Sequence, residues 1–491
     1  MMSKEPFIDK NGGNYVYNIR FFNTYEKEYE IPKLKLLDDM VEIFKTCSDL
    51  PSLEEVIFVL VQHKLETTVT LIDALLALGA RPENIILSGK CYSTSPVIAD
   101  QLKKRKINVM EDSKPEEIGQ YDKYNRRGLV KMWEIVANYL KNKNADQVIV
   151  MDEGGRCLET MPEFIRFEYK VAAIEQTRAG LYSDAVNVDQ LVFPLVEVAS
   201  CAVKKILEPP LIAIAILNRL KNLLLKLNPD PKTTFFGVVG NGAIGNAVCK
   251  YLLSSGYKVL CYDENESAFK DISDKNFYRV ETIASVIANS NIILGCTGKD
   301  ITEGLDILSI VKKNKVFVSC TSEDKEFRDL LLKIGQNNNY IGEEVLSDIT
   351  YLSKNKSKIT ILQGGFPFNF DRNPWNVPAE DIEVTQGLLL GACIQAVTCA
   401  TKPVHDGITI NRGSRQILNP LIQSYVALHW LSRRSKNDYP ENYKELFKTF
   451  EWIKRNSGGE YYENAFLNNC FSVLNNENQI TQSHKTSRAK L

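Results

Sequence analysis

Short apolar runs alternate with amphipathic helical patterns over most of the chain, and this alternation predicts a mostly parallel α/β sheet. The first apolar run is Val56–Val61, and a helical pattern over 67–78 that ends at Gly79 follows it. The same order then repeats, with strands predicted at 84–87, 107–110, 147–151 and 169–174 and helices at 97–104 and 129–140. The polar stretch 112–127 is expected to cross the surface.

A second α/β unit begins with the stretch 233–263. One apolar run ends at Gly240, a helical pattern starts near Gly242 and Gly245, and another apolar run ends at Asp263. A strand, a G-x-G-x-x-G loop, a helix and a strand that ends in an acid are the fingerprint of a dinucleotide-binding unit. Gly240 would allow the tight turn, Gly242 the close approach of the backbone to a pyrophosphate, and Gly245 the packing of helix on strand.

The start of that helix is where a diphosphate is expected. The N–H groups around Ala243 and Ile244 are free there to bind an anion. Asp263 lies where an acid bonds the ribose hydroxyls, and its charge would repel a 2′-phosphate, so NAD is favoured over NADP. A glycine turn in an ordinary α/β unit is the alternative, and strand, helix and acid together argue against it.

Length and composition limit the other possibilities. A chain of 491 residues is too long for one core, so two or three domains are expected. The net charge of −1 gives no indication of nucleic-acid or membrane binding, and the first residues lack the apolar core of a signal peptide. The 11 cysteines include no C-x-x-C pair, which favours free thiols, a cytoplasmic location and no metal site.

Prolines and polar stretches suggest the domain boundaries. Pro209-Pro210 should break the chain before a joining helix at 211–227, and 371–378 looks like a second hinge before a helix at 382–399. Near the ends, helices are predicted at 34–44 and 443–454, with disorder after 475. We predict a first domain at 1–210, a dinucleotide domain at 211–372, a return segment at 373–434 and a polar extension at 435–491.

Short motifs recur in a family order between about 54 and 430. They are His63-Lys64-Leu65-Glu66-Thr67, Cys91-Tyr92-Ser93-Thr94, Asp152-Glu153-Gly154-Gly155, Glu175-Gln176-Thr177, Lys204 with Glu208, the glycine fingerprint, and Thr297-Gly298. In this series the chain resembles the S-adenosylhomocysteine hydrolase family. The resemblance implies two Rossmann-like, doubly wound parallel-sheet domains, with the cofactor domain inserted into the substrate domain and hinges near 206–214 and 371–378.

The resemblance also implies a reaction. Bound NAD would transiently oxidise the 3′-hydroxyl of a nucleoside-type substrate, with S-adenosylhomocysteine split into adenosine and homocysteine as the leading case. The family's enzymes are homo-oligomers of one-carbon metabolism, so a homo-oligomer is expected here. Closure of the two domains would protect the intermediate from water.

Site residues follow from the same resemblance. Catalytic roles would fall to His63 as a proton shuttle, Lys204 as a base, and Glu208 and Glu153 where the family has aspartates. Substrate would be bound by Thr94, Asp152, Gln176 and Asn376, and the cofactor by Thr177, Thr297, Gly298 and Asn369 beside the glycine loop. A strand-end histidine, a solvent-facing lysine and a turn threonine are the structural alternatives for His63, Lys204 and Thr177.

Several positions depart from the family pattern. Gln176 replaces a glutamate, no histidine follows Ser319, Asn376 replaces a second histidine, and the family's C-terminal tail is missing. Loss of one proton-transfer group typically lowers a rate by about 10²–10⁴. Three hypotheses therefore stay open: a divergent hydrolase, an NAD-dependent oxidoreductase or lyase with another substrate, and a non-catalytic NAD- or nucleoside-binding regulator.

Overall fold

The computed structural model describes residues 31–434 except 49, 143–144, 184–190, 228–229, 231–232, 270–271, 338–339, 343, 354–355, 371–377 and 401–414. The predicted helix at 443–454 and most of the second hinge lie outside the described residues. The strands are β1 Val56–Val61, β2 Ile85–Ser88, β3 Asn108–Val109, β4 Gln147–Asp152, β5 Lys170–Glu175, β6 Leu195–Glu197, β7 Phe235–Val239, β8 Lys258–Tyr262, β9 Phe277–Arg279, β10 Ile292–Gly295, β11 Lys315–Ser319, β12 Tyr340–Ile341, β13 Ile349–Leu352, β14 Lys358–Ile361 and β15 Arg415–Ile417. The helices are α1 Lys35–Lys45, α2 Glu66–Ala77, α3 Pro96–Lys104, α4 Tyr121–Asn142, α5 Arg156–Thr160, α6 Glu163–Glu168, α7 Arg178–Leu181, α8 Ala202–Leu227, α9 Ala243–Ser254, α10 Ile283–Asn289, α11 Ile307–Ile310, α12 Arg328–Asn337, α13 Ala379–Cys399 and α14 Pro420–Ser432.

The first sheet is parallel throughout the described residues. Its seven strands have the order β15-β6-β5-β4-β1-β2-β3. Successive side chains of β1 point to opposite layers: Phe58 joins the core under α2 and α13, and Val59 joins the core under α4. Because helices cover both faces, the strand is apolar at every position, which is why the sequence predicts β1 with its observed bounds.

The second sheet is built from residues inserted between β6 and β15. Its eight strands have the order β12-β13-β14-β11-β10-β7-β8-β9, with β12, β13 and β14 paired antiparallel and the rest parallel. Phe236 and Val238 of β7 pack in the core with α8 and α9, and Val239 packs in the core with α10 and α12. The molecule therefore has two doubly wound, Rossmann-like sheets, as predicted, whereas the residues chosen as domain boundaries stay a prediction.

The predicted break at Pro209-Pro210 is wrong. Both prolines lie inside the continuous helix α8. Proline removes the N–H that would bond the carbonyl four residues earlier, so the helix gives up two hydrogen bonds there. Burial outweighs this loss, because Val203 and Leu207 pack in the first sheet's core and Leu220 packs in the second sheet's core.

The predicted surface crossing at 112–127 is also wrong in its second half, because α4 begins at Tyr121. Tyr121, Asn125 and Leu129 are all buried and lie four residues apart on one face. Because Asn125 is polar, the sequence pattern does not indicate that this face is buried. Tyr121 packs with Tyr92 and Phe366, where the first sheet's segments contact those of the second sheet.

Helix α13 returns the chain to the first sheet and is buried along most of its length. Within the described part of the chain it alone has the length and hydropathy of a membrane span, and 78% of its most apolar window is buried inside the protein. A helix that is apolar all round and covered by protein is a core helix. It packs against α2 and α8 and thereby ties the joining helix to the first sheet.

Candidate functional site

The carboxyl ends of four neighbouring parallel strands meet at one edge of the first sheet. These strands are β2, β1, β4 and β5, and they are followed by Lys90, His63, Glu153 and Thr177 respectively. Open α/β sheets bind ligands at this edge. The structure therefore brings together His63, Glu153 and Thr177, as the sequence predicts, and adds Lys90 to them.

His63 is held on both ring nitrogens. Its Nδ1 lies 2.5 Å from Ser93 Oγ, and its Nε2 lies 3.2 Å from Glu153 Oε2. The ring of Phe370 stacks on it with centroids 4.2 Å apart. A histidine whose two ring nitrogens face a hydroxyl and a carboxylate has a fixed ring orientation, which proton transfer requires.

Glu153 is the centre of this cluster and is only 3% exposed. Its backbone carbonyl accepts a hydrogen bond of 2.7 Å from Lys90 Nζ, which also lies 3.7 Å from Glu153 Oε1. Burial raises the pKa of Glu153, but the positive charges of His63, Lys90 and Lys204 outweigh it and lower the pKa to about 2. Glu153 is thus an anion throughout the physiological pH range. Lys204 lies close enough to help lower its pKa.

Lys204 forms an ion pair with Glu208 one helical turn along α8. The other oxygen of Glu208, Oε1, accepts a hydrogen bond of 2.8 Å from Thr385 Oγ1 on α13. The side chain of Lys204 is only 15% exposed, whereas its neighbour Lys205 is exposed. Lys204 is therefore not a solvent-facing residue. Thr385 fixes the longer carboxylate that stands where the resemblance implies an aspartate.

Asp152 and Glu175 lie buried beneath this edge. Asp152 accepts the N–H groups of Glu153 and Leu158, at 2.7 and 2.9 Å. Glu175 Oε1 accepts the N–H and the hydroxyl of Thr177, both at 2.7 Å. Burial raises both pKa values, that of Asp152 to about 6 and, with the nearby charge of Asp152, that of Glu175 to about 8. The hydroxyl of Thr177 also accepts the N–H of Gly180 at 3.1 Å, so Thr177 caps α7 and is held beside the cluster.

Three further residues were expected to bind substrate. Gln176 is buried and accepts a hydrogen bond of 3.1 Å from Gln62 Nε2. Thr94 donates to the carbonyl of Lys90 at 3.2 Å, so it steadies the turn that carries Lys90. Asn376 lies outside the described residues, and its role stays a prediction.

The glycine loop of the second sheet has the geometry of a phosphate cradle. Gly240 has φ +92°, and a Cβ on it would lie 2.9 Å from the backbone of Cys296. A Cβ on Gly245 would lie 1.8 Å from the carbonyl oxygen of Gly240, so only glycine fits at either position. A Cβ on Gly242 would meet nothing within 4 Å, which leaves open space at the N-terminus of α9, ahead of Ala243 and Ile244.

Asp263 follows β8 and faces this loop. Its Oδ2 accepts the N–H of Asn241 at 2.6 Å, and its Oδ1 accepts the N–H of Asn265 at 2.8 Å. The carboxylate thus fixes the turn and remains partly exposed beside it. An acid in this place suits the hydroxyls of a ribose and repels a phosphate.

The loop after β10 carries Thr297 and Gly298, two more of the expected cofactor residues. Buried Glu326 accepts their N–H groups at 2.7 and 2.9 Å and the hydroxyl of Thr297 at 2.7 Å. The predicted residue Asn369 is buried in the segment after β14, where the N–H of Phe368 donates to the carbonyl of Ser319. These groups surround the carboxyl ends of β10 and β11.

Sequence reasoning missed several of these groups. They are Lys90, Ser93, Glu326 and Thr385. Lys90 had a signal, because it is a charged residue just after a predicted strand, and Ser93 lies in one of the family motifs. Thr385 had none, because its partner Glu208 is remote in the sequence.

Comparison with known proteins shows which cofactor the second sheet binds. Residues 235–334 match the family described as the NAD binding domain of 6-phosphogluconate dehydrogenase. This part of the chain is an NAD-binding domain. The matched stretch begins at the first residue of β7, so the cradle at Gly240, Gly242 and Gly245 and the acid Asp263 lie within it.

Relatives over a longer stretch are uncharacterised. Proteins from two strains of Mycobacterium tuberculosis are 27% identical over 350 residues, which is 70% of this chain. The chain spans 65% of the length of these relatives. Among solved structures, D-2-hydroxyisocaproate dehydrogenase is 11% identical and covers 57% of this chain and 75% of its own, with a TM-score of 0.28. D-lactate dehydrogenase from Escherichia coli is 10% identical and covers 54% and 74%, also with a TM-score of 0.28.

Proposed function

We propose that this protein is an NAD-dependent oxidoreductase that acts on a hydroxyl group of a small polar substrate. The substrate would bind at the first sheet's edge, where His63, Glu153 and Lys204 converge. The single observation that carries the proposal is this buried, charged cluster at the carboxyl ends of the strands, in a chain that also has an NAD-binding domain. Perturbed pKa values and orienting hydrogen bonds of this kind are typical of active sites.

The residues present have distinct capacities. Bound NAD would accept a hydride from the carbon that bears the hydroxyl. Lys204 would accept the proton of that hydroxyl after releasing its own to solvent, and Glu208, fixed by Thr385, would stabilise the ammonium group that results. His63, held between Ser93 and Glu153, would bind or protonate a neighbouring oxygen.

A nucleoside is the first substrate class to test. The order of motifs through Lys204 resembles that of S-adenosylhomocysteine hydrolases, so transient oxidation of a 3′-hydroxyl in S-adenosylhomocysteine is the finer form of this proposal. The missing histidines favour the more general form, in which the substrate is a different hydroxylated compound. A cytoplasmic homo-oligomer is part of the same proposal.

The test is spectroscopic. Purified protein is assayed for bound NAD and then mixed with adenosine, S-adenosylhomocysteine and other polyols, while the near-ultraviolet absorbance of reduced nicotinamide is followed. Absorbance that appears with one of these compounds supports an oxidoreductase, and release of homocysteine supports the hydrolase form. Bound NAD that stays oxidised with every compound would contradict the proposal and support a regulatory binding protein.

A further inference from the structure

The loop that follows β11 carries three buried acids that face three different targets. Glu326 holds the cofactor loop at Thr297, as described above. Asp324 accepts the N–H of Tyr121, at the start of α4, with a distance of 3.1 Å. Glu323 points to Lys90 at the edge of the first sheet. One short loop therefore joins the NAD-binding domain to the candidate substrate site.

Glu323 has an unusual backbone. Its φ is +66°, in the left-handed region that residues with a Cβ rarely adopt. Its side chain is 1% exposed, and its Oε1 lies 3.6 Å from Lys90 Nζ. A strained conformation persists only where the surroundings fix it, and such positions concentrate at functional sites. This conformation places the carboxylate of Glu323, which follows a strand of the second sheet, beside Lys90 at the edge of the first sheet.

Basic and acidic side chains alternate from the first sheet to the second. In order they are His63, Glu153, Lys90, Glu323 and Lys325, with separations of 3.2, 3.7, 3.6 and 2.6 Å. The Nζ of Lys90 lies at nearly equal distances from the two carboxylates. Burial lowers the pKa of Lys90, but Glu153 and Glu323 outweigh it, so the pKa is raised and the ammonium stays charged.

A buried ammonium group requires a nearby negative charge. If Glu323 were absent, Glu153 would be the nearest carboxylate left to Lys90 among the described residues. Its oxygen atoms would then turn from His63 towards Lys90. By sharing Lys90, Glu323 leaves Glu153 Oε2 in place at 3.2 Å from the His63 ring.

We propose that Glu323 is a positioning residue of the substrate site, supplied by the NAD-binding domain. It holds Lys90 so that Glu153 can hold His63, and the site is complete only while the two sheets face each other. The expected effect of Glu323 on the reaction rate rests on the proposed function. Its expected effect on the contact between the two sheets rests on geometry alone.

The experiment uses the full chain with bound NAD and the variants Glu323→Gln, Glu323→Asp, Lys90→Gln and the double variant of Lys90→Gln with Glu323→Gln. Glu344→Gln, an exposed acid after β12, is the matched control. The first readout is amide hydrogen exchange of the peptide that contains Tyr121, whose N–H bonds to Asp324. We expect exchange to rise about tenfold in Glu323→Gln, less in Glu323→Asp, and not in the control.

The second readout is the rate of nicotinamide reduction by substrate. We expect a loss of about tenfold in Glu323→Gln, partial rescue in Glu323→Asp, and no further loss when Glu323→Gln is added to Lys90→Gln. Wild-type exchange at Tyr121 in Glu323→Gln, or losses that multiply in the double variant, would overturn the inference. If exchange responds as expected while wild-type protein never reduces NAD, the contact is supported and the proposed function fails. Should Glu323→Gln not fold, Glu323→Asp carries both readouts.

Discussion

The carbonyl oxygen of Gly240 occupies the place where a side chain on Gly245 would begin, since a Cβ there would lie only 1.8 Å away. Gly242, between them in the sequence, has open space instead. The three glycines of the fingerprint are thus required for different reasons, and substitutions at two of them have separable effects.

Gly242→Val is expected to leave the fold intact and to abolish NAD retention. Its backbone is extended, with φ −67° and ψ −166°, so valine fits, and its side chain would fill the space next to the helix terminus. The measurement is NAD content after denaturation, together with thermal unfolding of the cofactor-free protein. Undiminished NAD content would remove Gly242 from the cofactor site.

Gly245→Ala is expected to lose NAD and also to destabilise the cofactor-free protein. The methyl group would force α9 away from the turn, and overpacking of this kind costs about 1–3 kcal/mol. Chemical denaturation of the cofactor-free protein measures the change. An unfolding free energy equal to that of wild type would show that α9 can shift without cost.

Lys204→Ala is expected to retain NAD and to lower the rate of its reduction by about 10²–10⁴-fold, the usual effect of removing a proton-transfer group. The matched control is Lys205→Ala, because Lys205 is adjacent and exposed. Single-turnover absorbance of both variants provides the comparison. Equal rates in the two variants would strike Lys204 from the catalytic residues.

Asp263→Asn is expected to narrow the preference for NAD over NADP. The amide keeps an oxygen for the N–H of Asn241 and removes the charge that repels a 2′-phosphate. A repulsion of about 1 kcal/mol corresponds to a roughly fivefold change in relative affinity. Competitive binding of the two dinucleotides tests it, and an unchanged ratio would contradict the assigned role.

Glu175→Gln is expected to flatten the dependence of stability on pH. The pKa of Glu175 is raised to about 8 by burial and by Asp152, from an ordinary value of 4.5. A carboxyl with a raised folded pKa contributes stability that is present below its ordinary pKa and is lost as the pH rises through about 8. The variant should therefore lose less stability than wild type between about pH 5 and 8.

The size of this effect is limited by one proton, so the slope should change by at most about 1.4 kcal/mol per pH unit. Burial also raises the pKa of Glu66 to about 8, so part of the slope should remain in the variant. Denaturation at several pH values measures it, with the exposed Glu168→Gln as control. A slope identical to wild type would show that Glu175 does not titrate in this window.

Much of the fold was predictable because burial on both faces leaves clear apolar runs. The strands β1 and β4, and the helices α2 and α3, lie within one residue of their predicted bounds. The start of α8 was predicted wrongly from Pro209-Pro210. Local propensity does not take account of the two cores that stabilise this helix. The start of α4 was missed for a similar reason, since Asn125 is polar but buried.

The candidate site was predictable only where its residues follow strands or match a motif. His63, Glu153 and Thr177 do so, and they lie together at the sheet edge as expected. The other site residues, Glu323, Glu326 and Thr385, contact partners that are far away in the sequence. The separation is 28 residues for Glu326 and Gly298 and 233 residues for Glu323 and Lys90. Such pairings depend on how two sheets and a returning helix are arranged, which periodicity does not reveal.

The proline pair in α8 lies just before the place where the helix passes from one core to the other, since Leu211 packs with the first sheet and Ala213 with the second. Two backbone hydrogen bonds of the helix are missing at this point, so the helix bends most easily there. From there to Leu227 it extends about 25 Å, so a bend of roughly 10° would displace its far end by about 4 Å. Such a bend would move the two sheets relative to each other while each half keeps its interior packing unchanged, and small molecules could then reach and leave the edge of the first sheet.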